Sequence, residues 1–449
     1  MYEGLKVLQM LIDFTMSNYR SYKDQATLSL ETGERLRKRS KQNTIKISSS
    51  LSLLKNLAIF GANGSGKSSV VDGLLLMKQL VTLPTTDISQ QLPFFPFKLN
   101  NFSENEPTKF EINFLKNNYK YNYSFSYSQN EIKTEQLRVA SGSKFKILFE
   151  RKDGKILKSP QKQSSSKQNT RKNVLFLYSL QANNYAHAIN VFDWFKNDLV
   201  VFGSTASFDT FDNQLMDNSK VKKELTNFLR ASDVNILGIT YRDIDIPVSQ
   251  TNFRDVFNNS IRESKNFLDS ETSKRFLFTV HKKFDSAGNV IGTEEIPVSA
   301  ESTGTKRILM IALAIINSQF HNNHKTLVFD EFEEGLHFEM AIALVNLFNS
   351  EQNNNQFILT THQLELLNSN LRVDQIYFAE KNYRGESDLY SLFDYSSDQV
   401  SRADITFSKR YIKGQFGAVP TINMEALQES LKPQTNLKES SNVQKKNKS

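Results

Sequence analysis

The sequence predicts an α/β fold: a mixed sheet flanked by helices, with an antiparallel β part and a helical insertion. Three observations predict it. Leu51 to Phe60 (LSLLKNLAIF) is an apolar run that ends in a glycine-rich turn, and helical text follows from Ser68 to Leu80. Residues 109–115 (KFEINFL) and 119–127 (YKYNYSFSY) flank Asn117-Asn118, the pattern of a hairpin with a tight turn. From Thr305 a helix, a strand at Thr326–Phe329, a helix at Phe338–Asn349 and a strand at Gln356–Leu359 alternate, as an α/β layer requires.

The remaining elements follow from the same periodicities. From Leu11 the text alternates towards strand, through Phe14-Thr-Met-Ser-Asn18-Tyr19-Arg20-Ser21-Tyr22 and Ala26-Thr-Leu-Ser-Leu30. Tyr119, Tyr121, Tyr123, Phe125 and Tyr127 share one face of their strand, and such a face more often packs beneath a helix than stacks on bases. Residues 151–172 are polar and low in complexity, which predicts a basic flexible loop. Asn173 to Leu199 and Val221 to Arg230 read as helices with Trp194 and Phe195 as core anchors, and 251–272 as a polar helix. A strand pair, Phe276–Phe284 and Val290–Val298, surrounds the turn Asp285-Ser-Ala-Gly-Asn289. The predicted organisation is therefore a first lobe over 10–150, the loop 151–172, a mainly helical insertion over 173–272, a second lobe over 273–427 and a disordered tail over 428–449.

Composition bounds the function. Of 449 residues 39% are apolar, enough for a core, and the absence of cysteine excludes disulfide frameworks, thiolate metal sites and cysteine nucleophiles. The longest apolar run, Ile308 to Ile316, is far short of the roughly 20 residues that cross a bilayer. The first residues lack the basic start and small-residue cleavage site of a signal peptide, so a soluble cytoplasmic protein with no membrane partner is expected. The net charge of +8 is unevenly spread. Residues 33–46 carry about +5, 151–172 about +7 and the tail from Gln428 about +3, which leaves the remainder mildly acidic. Those segments are where non-specific contact with nucleic-acid phosphates is expected.

The chemistry is carried by four motifs. Gly61-Ala62-Asn63-Gly64-Ser65-Gly66-Lys67-Ser68-Ser69 satisfies G-x(4)-G-K-[ST] between a strand and a helix, the phosphate loop of nucleoside triphosphatases. Its glycines let backbone N–H groups wrap phosphates, and the helix N-terminus adds positive potential. Lys67 then supplies charge to the β- and γ-phosphates of ATP, and Ser68 an oxygen for Mg²⁺. Thr326-Leu-Val-Phe329-Asp330-Glu331 ends a strand in two carboxylates, Asp330 for Mg²⁺ and Glu331 as general base for water. Ile358-Leu-Thr-Thr361-His362 ends the next strand in a histidine, where a γ-phosphate sensor belongs. Glu301-Ser302-Thr303-Gly304-Thr305-Lys306-Arg307 opens an apolar helix, with Ser302 and Gly304 suited to a helix N-terminus pressed on phosphate.

This order of motifs resembles the ABC-type ATPase heads of the SMC and RecF kind, and Phe14-x(3)-Asn18-Tyr19-Arg20-Ser21-Tyr22 is similar to the motif by which those heads begin. Within that class the signature, Asp330-Glu331-Phe-Glu-Glu-Gly335-Leu336-His337, and Lys409-Arg410-Tyr411-Ile-Lys-Gly414-Gln-Phe-Gly417-Ala418-Val-Pro420 look most like bacterial AAA/ABC ATPases of abortive-infection and antiphage systems. The resemblance covers roughly residues 10–150 and 275–425. It implies a P-loop fold of the ABC-head type and a head-to-tail dimer that sandwiches two ATP molecules. Ser302 and Gly304 would then contact the γ-phosphate held by the opposite subunit, Gly335-Leu336-His337 would cross the interface, and Arg20 would lie near the nucleotide. Three features depart from the pattern: Thr303 replaces a second glycine, Phe338 replaces a common proline, and no glutamine loop is identifiable, Gln90 and Gln91 being the nearest glutamines to offer.

Two functions fit. One is an ATP-hydrolysing switch in antiviral defence that controls a separate effector such as a nuclease or toxin, docked on 173–272 or 409–420. The other is a RecF-like repair ATPase that binds DNA directly. A nuclease of the OLD type needs a further metal-binding domain, and only 87 residues follow His362. A transporter subunit conflicts with the opening motif and the insertion.

Overall fold

The chain opens with β1 (Met10–Ser17) and β2 (Ala26–Ser29), passes a short hairpin of β3 (Thr44–Lys46) and β4 (Ser52–Leu54), and enters β5 (Asn56–Phe60). After the helix Lys67–Thr82 come β6 (Thr108–Lys116), β7 (Tyr119–Tyr127), β8 (Ile132–Ala140), β9 (Lys146–Lys152) and β10 (Lys155–Lys158). β11 (Leu199–Phe202), β12 (Gly238–Ile246), β13 (Thr272–Phe284), β14 (Val290–Pro297), β15 (Thr326–Phe329), β16 (Gln356–Thr361), β17 (Ile376–Lys381) and β18 (Ser387–Ser391) complete the strands among the described residues. In this computed structural model those are residues 9–34, 36–142, 144–203, 217–232, 235–246, 272–320, 324–395, 406–417 and 423–431.

Two large sheets result. One is antiparallel, in the order β10-β9-β8-β7-β6-β1-β2; the other runs β11-β15-β16-β5-β17-β18. In the second, β11, β15, β16, β5 and β17 are mutually parallel and β18 is an antiparallel edge. Parallel strands covered on both faces read as unbroken apolar runs, and every residue of β5, β15 and β16 is buried. The helix Lys67–Thr82 buries Val70, Val71, Leu74, Met77 and Val81, the i, i+4, i+7 stripe of a core-facing helix. These side chains join the aromatic face of the antiparallel sheet in one core. The helices Ser219–Ala231, Thr303–Phe320 and Phe338–Phe348 supply a second core around Phe60, Phe329 and Phe378.

Gln356 bolts the two sheets together. Its amide oxygen accepts from the Leu11 N–H at 2.7 Å and from Thr326 Oγ1 at 3.0 Å, while its Nε2 donates to Leu11 O at 2.9 Å. The hairpin β6–β7 turns through Asn117 (φ 52°) and Asn118 (φ 64°), the left-handed pair that a two-residue connection demands. Tyr121, Tyr123, Phe125 and Tyr127 are buried, with Trp194 stacked on Phe114 at 4.2 Å, so the aromatic face is core rather than a base-stacking platform.

Several expectations are corrected. Leu51 to Phe60 is two strands, broken where the Lys55 N–H turns aside to Asn43 O. Residues 151–172 are not a free loop: β9 and β10 form a hairpin and Ser164–Asn169 a short helix. The cause is Arg151, buried and donating to Gly154 O, Val174 O and Lys172 O, which removes it from any phosphate-binding surface. Among the described residues of the insertion 173–272 helix outweighs strand, with Trp194–Asp198 a further helical turn, but two strands that the sequence did not announce lie within it. Phe176–Ala182, Ala186–Asp193 and Ser219–Ala231 are helices, but β11 pairs with β15 in the central sheet and β12 pairs with β13. The helix expected over 251–272 lies outside the described residues except for Thr272, which starts β13.

The chain divides into two units, Met1–Ala418 and Val419–Ser449. The boundary falls before the one expected at 428, because Met424–Ser430 forms a helix capped by Asn423, whose side chain accepts from the Ala426 N–H at 3.0 Å. Residues 432–449 of the expected tail lie outside the described residues. Among the described residues no helix is long and apolar enough to cross a membrane.

Candidate active site

Open α/β sheets bind ligands beyond the carboxyl ends of their parallel strands, and register decides which residues arrive there together. Phe60 of β5 is level with Thr361 of β16 and Phe378 of β17, and Phe329 of β15 with Leu359. Gly61, His362 and Asp330 therefore follow their strands at one end of the sheet, beside Ala379 of β17. That end borders a cleft of about 400 Å³ lined by Arg20, Ser21, residues 63–69, Glu331, His362 and Lys381.

The loop from Gly61 to Ser69 is shaped by its glycines. A methyl on Gly61 would lie 2.4 Å from Ala379 O, and one on Gly66, at φ 113°, 2.6 Å from Ser387 Oγ. Gly64 turns at φ 73°. Asn63, Ser65, Ser68 and Ser69 accordingly face the cleft with the loop backbone. Lys67 is buried, and its Nζ donates to Gly61 O at 2.8 Å and Ala62 O at 2.9 Å. Burial pushes its pKa down to about 8, against the pull of Asp330, Glu331 and Glu333.

One hydroxyl sets both carboxylate residues. Thr360 Oγ1 donates to Asp330 Oδ1 at 2.6 Å and accepts from the Glu331 N–H at 2.8 Å. Glu331 sits at φ 47°, a left-handed conformation that costs a non-glycine residue about 1–2 kcal/mol and persists where surroundings impose it. His362 lies between the catalytic candidates, with Nδ1 3.3 Å from Lys67 Nζ and Nε2 3.6 Å from Glu331 Oε1. A lysine ammonium only donates, so Nδ1 is the acceptor and the ring proton sits on Nε2, facing the Glu331 carboxylate. Glu333 Oε1 accepts the His362 N–H at 2.6 Å and holds that strand end in place.

Arg20 projects from a tight turn, at φ 50°, between the paired residues Tyr19 and Tyr22. Asn18 fixes the turn: its Nδ2 donates to Ser103 O and Glu106 O, and its Oδ1 accepts from the Phe97 N–H. The guanidinium is paired with Asp72 and lies 5.7 Å from the Tyr19 ring and 5.9 Å from the Phe95 ring.

Ser302 and Gly304 do not line this cleft. Ser302 Oγ accepts from the Thr305 N–H at 3.1 Å, starting the helix Thr303–Phe320. Gly304 touches the loop after β15 backbone to backbone: a methyl there would lie 2.3 Å from Gly335 O, and Gly335 itself is at φ 74°. Arg307 pairs with Glu334 at 2.9 Å across the same junction. The signature and the Gly335-Leu336-His337 loop thus form one surface. Gln90 accepts from the Thr86 N–H, and neither Gln90 nor Gln91 lines the cleft.

Sequence reasoning missed Thr360, Ser21, Ser387 and Lys381. Ser387 Oγ donates to Ser65 O at 2.7 Å, and its N–H donates to Ser21 O at 2.7 Å, so β18 buttresses the loop from behind. Thr360 carried a signal, as the strand-end threonine near His362, and Ser21 stood unassigned within the opening motif; Ser387 and Lys381 carried none. The residues fit a nucleoside triphosphate with Mg²⁺: the glycine cradle, the buried Ser65 and Ser21 hydroxyls without a partner among the described residues, and the oxygens of Ser68 in the cleft and of Asp330, buried at the strand end just outside its lining.

A phosphate loop, a strand-end Asp-Glu pair and a neighbouring histidine on a parallel sheet, beside an antiparallel β lobe, define a P-loop ATPase of the ABC-head type. The chain belongs to the family described as "AAA domain, putative AbiEii toxin, Type IV TA system", which matches residues 57–368. Among solved structures, the SMC head bound to the C-terminal winged-helix domain of ScpA is 14% identical, with a TM-score of 0.41 over 87% of this chain and 99% of that one. The SMC head domain from Thermotoga maritima is 12% identical, with a TM-score of 0.35 over 85% and 98%. An SMC head with an extended coiled coil, bound to the C-terminal domain of ScpA derived from Pyrococcus furiosus, is 12% identical, with a TM-score of 0.38 over 88% and 98%. The chain matches no curated protein.

Proposed function

We propose that this chain binds ATP with Mg²⁺ in the cleft, hydrolyses it, and uses the cycle to switch a separate effector protein in antiphage defence. The observation that carries the reading is the convergence of Lys67, Asp330, Glu331 and His362 on one sheet edge beside the loop. Lys67 exchanges two loop carbonyls for the β- and γ-phosphates, a stronger, charge-assisted interaction. Ser68 and Asp330 would hold Mg²⁺, which when bound would supply positive charge against the phosphates. Glu331 removes a proton from the attacking water, and His362, its Nε2 3.6 Å from Glu331 Oε1, stands beside it as the sensor of the γ-phosphate.

The active unit is a dimer in this reading. Ser302 and Gly304 stand outside their own cleft on a surface shared with Gly335, which suits a signature that completes a partner's site. ATP then favours the assembled state, and the difference in binding energy between states is the switch. The family description, naming a toxin of a type IV toxin–antitoxin system, supports a defence setting. Tyr411 and Phe416 of the 409–417 segment are buried, with Phe416 stacked on Phe378 at 5.6 Å, so an effector docking there would meet Ile412, which is exposed.

Phosphate release from Mg·ATP by the purified chain, abolished in Lys67→Ala, tests the ATPase reading; no release overturns it. Phage challenge of cells carrying this chain alone, or with its genomic neighbour, tests the role. Protection that needs both supports it, and full protection from this chain alone overturns the separate effector. No protection in either case overturns defence in favour of DNA repair.

A further inference from the structure

We propose that Lys381 is a third phosphate-binding cation of the nucleotide site, delivered by the β17–β18 hairpin rather than by any of the four motifs. The inference rests on the ATP-binding reading and deepens it. Lys381 ends β17 and is paired directly with Ser387 of β18. Directly opposed residues in an antiparallel pair place their Cβ atoms about 5 Å apart on the same face. The Ser387 side chain lies on the phosphate loop: its Oγ donates to Ser65 O at 2.7 Å, and its Cβ is 3.0 Å from where a methyl on Gly66 would sit. The Lys381 side chain therefore rises beside Ser387, over Ser65 and Gly66, and lines the cleft that these residues border.

Its neighbour Glu380 takes the other face, where its carboxylate accepts from Tyr390 OH at 3.0 Å. The hairpin is anchored on both sides, by Ser387 N–H to Ser21 O and by the Lys23–Glu386 pair at 2.9 Å, so Lys381 is presented from a fixed support. Three cations line the cleft, and two are engaged within the protein: Arg20 with Asp72, and Lys67 with the carbonyls of Gly61 and Ala62. Lys381 is exposed and makes no ion pair among the described residues. A triphosphate gains from it without breaking a protein contact, because an anion beside an unpaired ammonium needs no rearrangement. A surface lysine of no function would be indifferent to phosphate number. A phosphate ligand is not.

The test compares the full-length protein with Lys381→Gln and Lys381→Arg by equilibrium dialysis of Mg·ATP, Mg·ADP and AMP at two salt concentrations. Lys381→Gln is expected to weaken Mg·ATP by roughly two- to fivefold, the scale of one partly solvated charge pair, and AMP by much less. It also flattens the salt dependence of binding, and Lys381→Arg restores most of the affinity. Equal ATP affinity in wild type and Lys381→Gln overturns the assignment while leaving the ATPase reading intact. A loss of the same size for AMP as for ATP overturns it too, by locating the effect away from the phosphate chain. Failure of the wild-type protein to bind ATP removes the ATP-binding reading and this inference with it.

Discussion

Thr360 shows how much of this site depends on a single side chain outside the motifs. Its hydroxyl orients Asp330 and pins the left-handed backbone of Glu331. Thr360→Val keeps the shape and deletes both bonds, so ATP should still bind while turnover falls about tenfold or more, the usual worth of a buried charge-assisted hydrogen bond. Single-turnover hydrolysis against ATP affinity separates the two effects. Glu331→Gln should likewise bind ATP but turn over roughly 10²-fold slower or worse, as expected for a lost general base. Lys67 adds a pH dependence. Its pKa is pushed down to about 8 by burial, so the ammonium predominates near pH 7 and is lost as pH rises through 8. Phosphate binding requires the ammonium, so ATP affinity should drop about tenfold per pH unit above 8, with proton uptake on binding in that range. Calorimetry in buffers of different ionisation enthalpy measures that uptake; affinity that stays flat from pH 7 to 9 contradicts it.

At the scale of elements, legibility followed the range of the forces. The hairpin of β6 and β7 was readable because Asn117-Asn118 and the alternating aromatics are local signals. The segment 151–172 was not, because the partner carbonyls that bury Arg151 come from Lys172 and Val174, and polarity in the text hides that. Four residues of β11, Leu199-Val-Val-Phe202, follow helical text without a break and become a strand only through pairing with β15. β17 and β18 escaped notice for the same reason, and with them Ser387 and Lys381. Gln356 is the element-scale prediction. Gln356→Ala leaves the buried Leu11 N–H and C=O without their side-chain partner where the two sheets meet. It should destabilise the fold by about 2–4 kcal/mol, since orphaned buried polar groups bear the full desolvation cost. Urea unfolding with an unchanged m-value checks it.

For the whole molecule, the motifs were legible because phosphate chemistry writes them as contiguous residues, and register then brings Gly61, Asp330 and His362 to one edge. What the sequence could not display is the spatial separation of the signature from that edge. Ser302 caps its helix, and Gly304 locks against Gly335, away from the cleft. In the proposed dimer a second chain would bring Ser302 to the γ-phosphate across that separation, which is the central claim to test. The direct measurement mixes two inactive variants, Lys67→Ala and Ser302→Arg, and follows ATP hydrolysis. A heterodimer then has one site with an intact Lys67 from one chain and an intact Ser302 from the other. Either variant alone should hydrolyse negligibly, and mixing should restore roughly a quarter of the wild-type rate, as random pairing dictates. Wild-type hydrolysis by Ser302→Arg alone, or no recovery from a mixture shown to exchange subunits, would contradict it.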